Sequence, residues 1–387
     1  MQDSAMRRRN IDALTGVRAF LIGWIVLYHL DAELAALFPW QPLLNFAATG
    51  FIGVDFFFIL SGFVIAYSYA ARFKTFHIET YRRFLWLRLA RIYPLHLFTL
   101  GLTVLMFLAA KFGGAALNNP DYYSVSGLFA NIFLIQAWRL PTEFSWNAIA
   151  WAVSCEWLAY LVFPAVIAAT LRVRKVPYVL TGVVAVLWLM AAVCQWLESA
   201  NPAQYGAGSY GLLRIAGEFT AGCLLYNLYA VGWGRRWRNV AAIFWLIAVA
   251  GTTLVATPNV FSSWLRPLLG SPEQVNALWL TPLCAIALYA LVWERGFSAA
   301  FFRTKAMMIG GHLSYAVYLT HFLCLIVLRR ALPITAFAEA NVAIRAIALL
   351  GYGIVMVGVA IAAYWLIEEP GRRWMRQIGA PKENQIA

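Results

Sequence analysis

GVRAFLIGWIVLYHL, residues 16–30, decides the fold: one cation, Arg18, and one imidazole, His29, stand in an otherwise uncharged apolar run. Extended to about residue 35, the run reaches the roughly 20 residues an α-helix needs to cross the hydrocarbon core of a bilayer. The pattern recurs along the chain. Apolar runs bounded by charge predict spans at about 17–35, 50–71, 84–110, 146–170, 177–197, 208–231, 239–257, 276–294, 307–330 and 342–367, ten in all. LFANIFLIQAW, 128–138, is apolar but too short to cross and is expected to be re-entrant or interfacial. The expectation is an all-α polytopic membrane protein of about ten transmembrane helices plus this short segment.

Composition points the same way. Of 387 residues, 62% are hydrophobic and 12% charged, where an ordinary soluble domain carries roughly a quarter charged residues. The formal net charge of +13 lies in short runs between apolar stretches, without one basic domain or tail, which argues against nucleic acid as a partner. The positive-inside rule accounts for it better. Placing both termini in the cytoplasm puts most of the 30 Lys and Arg inside, whereas counting 128–138 as a crossing would turn the RVRK loop, 172–175, outward. This divides the chain into a cytoplasmic segment 1–16, a membrane domain 17–367 and a cytoplasmic tail 368–387. Arg7, Arg8 and Arg9 precede an apolar run as in a signal peptide, but no small-residue cleavage pattern follows, so a retained first helix is expected. The five cysteines all fall in apolar segments with no metal-ligand spacing, so neither a disulfide framework nor a metal site is expected. Gly351, Gly353 and Gly358 fit close packing between helices.

Ionisable groups inside spans cost at least about 2.5 kcal/mol each on insertion scales, so each needs a partner or a task. His29 sits about 18 Å above the inner boundary by helical rise, and Glu156, entering from the outer side, about 15 Å down, so the two reach similar depth. A neutral imidazole beside a carboxylate suits general-base catalysis; a structural hydrogen bond between two helices uses the same pair. Asp55, with Ser61 further along its span, caps its helix or binds a partner. Glu218 lies one turn from Arg214, which suggests an intrahelical ion pair. His321 has no carboxylate close in sequence and fits a hydrogen-bonded packing role. In YRRFLWLRLARIYP, 81–94, Arg88 and Arg91 share one helix face above Arg82 and Arg83, an array suited either to anionic lipid headgroups or to the phosphates of a cytoplasmic ligand.

These stretches resemble acyltransferase family 3, the polytopic O-acyltransferases of bacterial surface polysaccharides and some secondary metabolites. TGVRAFLIGWIVLYHL (15–30) is similar to the first-helix signature, whose Arg and essential His fall on Arg18 and His29. GVDFFFILSGFVI (53–65) resembles the second signature, RLAR (88–91) the RxxR motif, and WAVSCEWLAY (151–160) the glutamate motif, at Glu156. RIAGEFTAG (214–222), GGHLSYAVYLTH (310–321, with Tyr315 and His321) and EEP (368–370, with Glu368) complete the series. Thr15 stands where many members carry an acidic residue, and the extracytoplasmic esterase-like domain of some members has no counterpart in the sequence.

The resemblance implies acyl-CoA, most often acetyl-CoA, as donor and a hydroxyl acceptor, a saccharide or lipid-linked saccharide, at the outer side of a bacterial cytoplasmic membrane. A macrolide-like metabolite is the alternative acceptor, and a polytopic transporter without chemistry the rival class. With CoA phosphates at Arg82, Arg88 and Arg91, Arg18 along the channel and the thioester threaded towards His29, direct attack by a deprotonated hydroxyl is expected, with Glu156 orienting the imidazole. Acylation of His29 itself is the alternative and would give ping-pong kinetics.

Overall fold

The structure is a computed structural model that describes residues 10–114, 120–139, 144–200, 210–236, 240–255, 277–337 and 339–379. Among the described residues there is helix and no strand, as hydrocarbon requires of a chain that must satisfy its backbone internally. The helices are α1 (Asp12–His29), α2 (Asp31–Leu37), α3 (Gln41–Ala48), α4 (Gly53–Tyr69), α5 (Ile78–Phe112), α6 (Val125–Ile132), α7 (Trp151–Thr170), α8 (Val176–Ala200), α9 (Gly211–Ala230), α10 (Val240–Val255), α11 (Thr281–Leu291), α12 (Phe297–Phe302), α13 (Lys305–Ala331), α14 (Val342–Ala363) and α15 (Glu369–Ile378).

A helix lies at each of the ten expected spans, while the count of ten crossings is not confirmed. Among the described residues, six helical stretches are long and apolar enough to cross, or seven if α1 and α2, bent by 70°, form one span. The differences have physical causes. Arg214, Glu218 and Asn227 lower the apolarity of α9, which is buried on nearly every side. The 11 residues of α11 rise only about 16 Å. The first span also ends sooner than expected: the helix stops at His29, Leu30 leaves helical geometry, and Asp31 accepts the Ala32 N–H at 2.7 Å as α2 turns away.

Several helix pairs make backbone contact, two of them between long helices. A Cβ on Gly62 of α4 would meet the Phe219 carbonyl of α9 at 2.1 Å, and one on Gly222 would meet the Ile59 carbonyl at 2.1 Å. Likewise, a Cβ on Gly311 of α13 would lie 1.9 Å from the Thr15 carbonyl of α1. Such close approach is how helices associate where no hydrophobic force separates protein from lipid. By contrast, Gly351, Gly353 and Gly358 face nothing within 4 Å among the described residues, so the close packing expected of them is not seen there.

The short apolar segment is the eight-residue α6, capped by Ser124 accepting the Gly127 N–H at 3.1 Å. The chain after it is pinned to the start of α7, where Ala137 N–H donates to Ser154 Oγ at 3.2 Å and Trp138 Nε1 to the Ser154 carbonyl at 3.1 Å. The described part of the expected tail, residues 368–379, is helical and packed. Glu368 closes a π-helical turn and is buried, and α15 packs on α5, with Trp86 Nε1 donating to the Met375 carbonyl at 2.7 Å. All five cysteines are unpaired.

Gly62→Val and Gly222→Val should each lower stability by about 1–3 kcal/mol or more, because the added carbons meet backbone that cannot retreat. Gly351→Ala should not lower it. Thermal melting of the purified protein in detergent checks both.

Candidate active site

The first part of α1, α4, the first half of α5, α7 and α13 surround a cavity of about 160 Å³ lined by Arg18, Arg88, Arg91, Ser61, Glu156, Tyr160 and Tyr315. Arg88 and Arg91, three residues apart, present neighbouring guanidinium groups. Arg88 donates to the Tyr69 hydroxyl at 3.1 Å and lies 5.2 Å above that ring. Arg91 is paired with the Glu368 carboxylate and stands 5.5 Å over Tyr315, whose hydroxyl donates to the Ile92 carbonyl at 2.6 Å. The Nε donors of Arg18 and Arg88 are buried with no partner among the described residues. A buried donor left unmade costs about 1–3 kcal/mol, a deficit that a bound anion removes. Glu156 Oε1 accepts from Ser61 Oγ at 2.9 Å and from the Tyr160 hydroxyl one turn further along α7. Arg82, expected beside these arginines, is exposed and lies outside the cavity; its neighbour Arg83 instead lines a small separate cleft with Tyr69 and Arg72.

His29 lines a second, larger cavity of about 790 Å³. Helical rise puts it about 17 Å along α1 from Arg18. Its ring stacks on His321 at 5.1 Å and 13°, with Tyr28 and Phe322 beside it. His321 Nδ1 faces the Tyr318 carbonyl at 2.7 Å and the Val317 carbonyl at 3.0 Å. Carbonyls only accept, so Nδ1 carries the proton and Nε2 is a bare acceptor, buried with no partner among the described residues. At the end of α1, Arg329 donates to the His29 carbonyl at 2.9 Å and forks onto Glu33 at 2.6 and 2.8 Å, placing a cation at that C-terminus.

The expected pairing of His29 with Glu156 is therefore not formed: the two line different cavities. Depth along the membrane normal fixes height and leaves bearing open. Glu156 faces Ser61 on α4, while His29 faces α13. The cavities nevertheless adjoin, because Val54 and Tyr318 line both.

A second correction concerns Asp55 and Glu218. Arg214 forks across to Asp55, with Nε to Oδ1 at 2.9 Å and Nη2 to Oδ2 at 2.8 Å, and lies 5.3 Å over the Trp151 ring. Asp55 makes no side-chain helix cap. Neither Glu218 oxygen has a hydrogen-bond partner among the described residues, although both are buried. The guanidinium reaches the carboxylate on the neighbouring helix, not the one on its own. This cluster lines neither cavity and braces α4 against α9.

Several contributors escaped the sequence reading. Tyr160 is four residues from Glu156 and Tyr318 three before His321, so helical spacing marks both. The Glu33–Arg329 pair and the place of Val54 carry no local signal.

Apolar helices thus enclose an arginine-lined cavity and, adjoining it, a histidine-lined one. The family described as an acyltransferase domain matches residues 11–366. The chain belongs to this family, acyltransferase family 3. It is 28% identical over 331 residues to the acyltransferase MdmB of Streptomyces mycarofaciens, covering 81% of this chain and 79% of that protein. It is 23% identical over 337 residues to the peptidoglycan O-acetyltransferase OatA of Listeria monocytogenes, covering 81% and 49%. It is also 25% identical over 232 residues to the putative peptidoglycan O-acetyltransferase YrhL of Bacillus subtilis, covering 58% and 34%. The chain thus spans about half or less of these peptidoglycan relatives. No solved structure matches.

Arg214→Leu should destabilise by about 3–5 kcal/mol, because it strands two buried carboxyl groups. Asp55→Asn should cost less, because Glu218 stands one turn from the guanidinium and can take its place. Denaturation of both purified variants compares the two costs.

Proposed function

We propose that the protein transfers an acyl group, most readily acetyl, from acyl-CoA on the cytoplasmic side to a hydroxyl of a glycan or glycolipid on the outer side of a bacterial cytoplasmic membrane, with both termini inside. The observation that carries this reading is the junction of the two cavities at Val54 and Tyr318, with three arginines on one side and His29 on the other.

Arg18, Arg88 and Arg91 hold the donor's phosphates; the partnerless Nε donors of Arg18 and Arg88 suit them to the task. Glu156, fixed by Ser61 and Tyr160, stands on this side and acts on the donor's arm, in place of the imidazole-orienting role expected from depth. In the larger cavity His29 takes the proton from the acceptor hydroxyl as its oxygen attacks the thioester carbonyl. The carbon–sulfur bond then breaks, and the proton on His29 passes to the departing thiolate. His321, its tautomer fixed by backbone carbonyls, holds the His29 ring by stacking and adds no proton on that side. Membrane lipids surround the outward faces of the long helices.

A second acceptor class, a hydroxylated macrolide-like metabolite, is favoured by the near full-length match to MdmB and by the aromatic lining of the larger cavity, which includes Tyr122, Tyr123, Phe144 and Trp146. Family membership leaves the transporter reading without support.

Purified protein given labelled acetyl-CoA with a panel of glycans, lipid-linked sugars and macrolides should acetylate one class. His29→Ala should abolish transfer while leaving donor binding intact. Arg88→Gln should raise the donor KM about tenfold or more, the worth of a charge-assisted hydrogen bond. Glu156→Gln should alter the donor KM and leave the acceptor KM unchanged.

A further inference from the structure

Resting on the donor assignment above, we propose that Val54 and Tyr318 form a filter that selects the acyl group by its width, passing straight chains and rejecting branched ones. The two residues line both the arginine cavity and the histidine cavity and so stand where the two meet, which makes the gap between them the shortest route from one to the other. The acyl group leads the donor's arm through this neck, so its cross-section is tested before its carbonyl can reach His29. Length is tested less, because the cavity beyond holds about 790 Å³.

The neck is held on both sides. Tyr318 donates its hydroxyl to the Ile149 carbonyl at 2.8 Å, in the turn that opens α7, and this fixes the ring across the passage. The Tyr318 carbonyl also accepts from His321, which stacks on His29, so the filter and the imidazole pair share one helix turn. On the other side, a Cβ on Gly53 would meet Ile25 Cγ1 at 2.8 Å, so the turn that carries Val54 already lies against α1. A neck anchored on both walls discriminates by shape. A single methyl group against such a wall is worth about tenfold or more in selectivity.

Butyryl-CoA and isobutyryl-CoA have equal composition and differ only in branching. Their binding to purified protein is compared in a His29→Ala background, which blocks turnover and needs no acceptor, with unacylated CoA as reference. The unaltered neck should favour butyryl-CoA at least about tenfold. Val54→Ala should shrink that preference severalfold, Val54→Ile should enlarge it, and Tyr318→Phe, which frees the ring, should shrink it less than Val54→Ala. All variants should bind unacylated CoA alike. If CoA binds and the isomer preference is the same in Val54→Ala and Val54→Ile, the filter is overturned and the donor assignment stands. If unacylated CoA does not bind at all, the donor assignment falls and the filter with it.

Discussion

Hydrocarbon does not tolerate uncompensated charge, and the arrangement of the whole molecule follows from where its few ionisable groups find compensation. Asp55 and Arg214 neutralise each other across two helices, and Arg91 is held by Glu368. Arg18 and Arg88, beside them, keep donors without partners. The Asp55–Arg214 pair braces the bundle away from both cavities, while Arg18, Arg88 and the Glu368-paired Arg91 line one.

That cavity exists because the helices are not packed uniformly. At Gly311, against Thr15, and again at Gly62 and Gly222, backbones touch and leave no room for a side chain. These two close pairs, α1 with α13 and α4 with α9, set the positions of α1, α4 and α13. Between them, α5 and α7 contribute long side chains, and the space left is filled by Arg88, Arg91, Glu156 and Tyr160. The bend after His29 then opens the other end, because α1 stops at the level where its imidazole is needed and α2 turns aside. Arg329 holds that end by capping the His29 carbonyl while Glu33 holds Arg329.

Much of this was legible in the sequence, and the parts that were not share a cause. Apolar run length located a helix at every expected place, since one-dimensional hydropathy reflects burial in lipid. Its count of ten crossings is not confirmed where polar residues lie in a helix surrounded by protein, as in α9, or where a helix is short, as in α11. The order of motifs gave the family, and the three-residue spacing of Arg88 and Arg91 placed both in one cavity. Helical rise placed His29 and Glu156 at similar depth, but it holds no information on bearing, and there the expected pair failed. The same limitation explains Asp55: sequence proximity favoured Glu218 as the partner of Arg214, and three-dimensional packing chose the carboxylate 159 positions away. Val54 is one apolar residue among many in α4, and only the meeting of two cavities distinguishes it.

The central claim is that donor and acceptor approach from opposite sides and meet inside the protein. It is tested most directly in sealed proteoliposomes with labelled acetyl-CoA, which does not cross the bilayer, outside and an acceptor identified from the panel enclosed within. The account predicts label on the enclosed acceptor without acetyl-CoA inside. Label only when donor and acceptor share a compartment would contradict it.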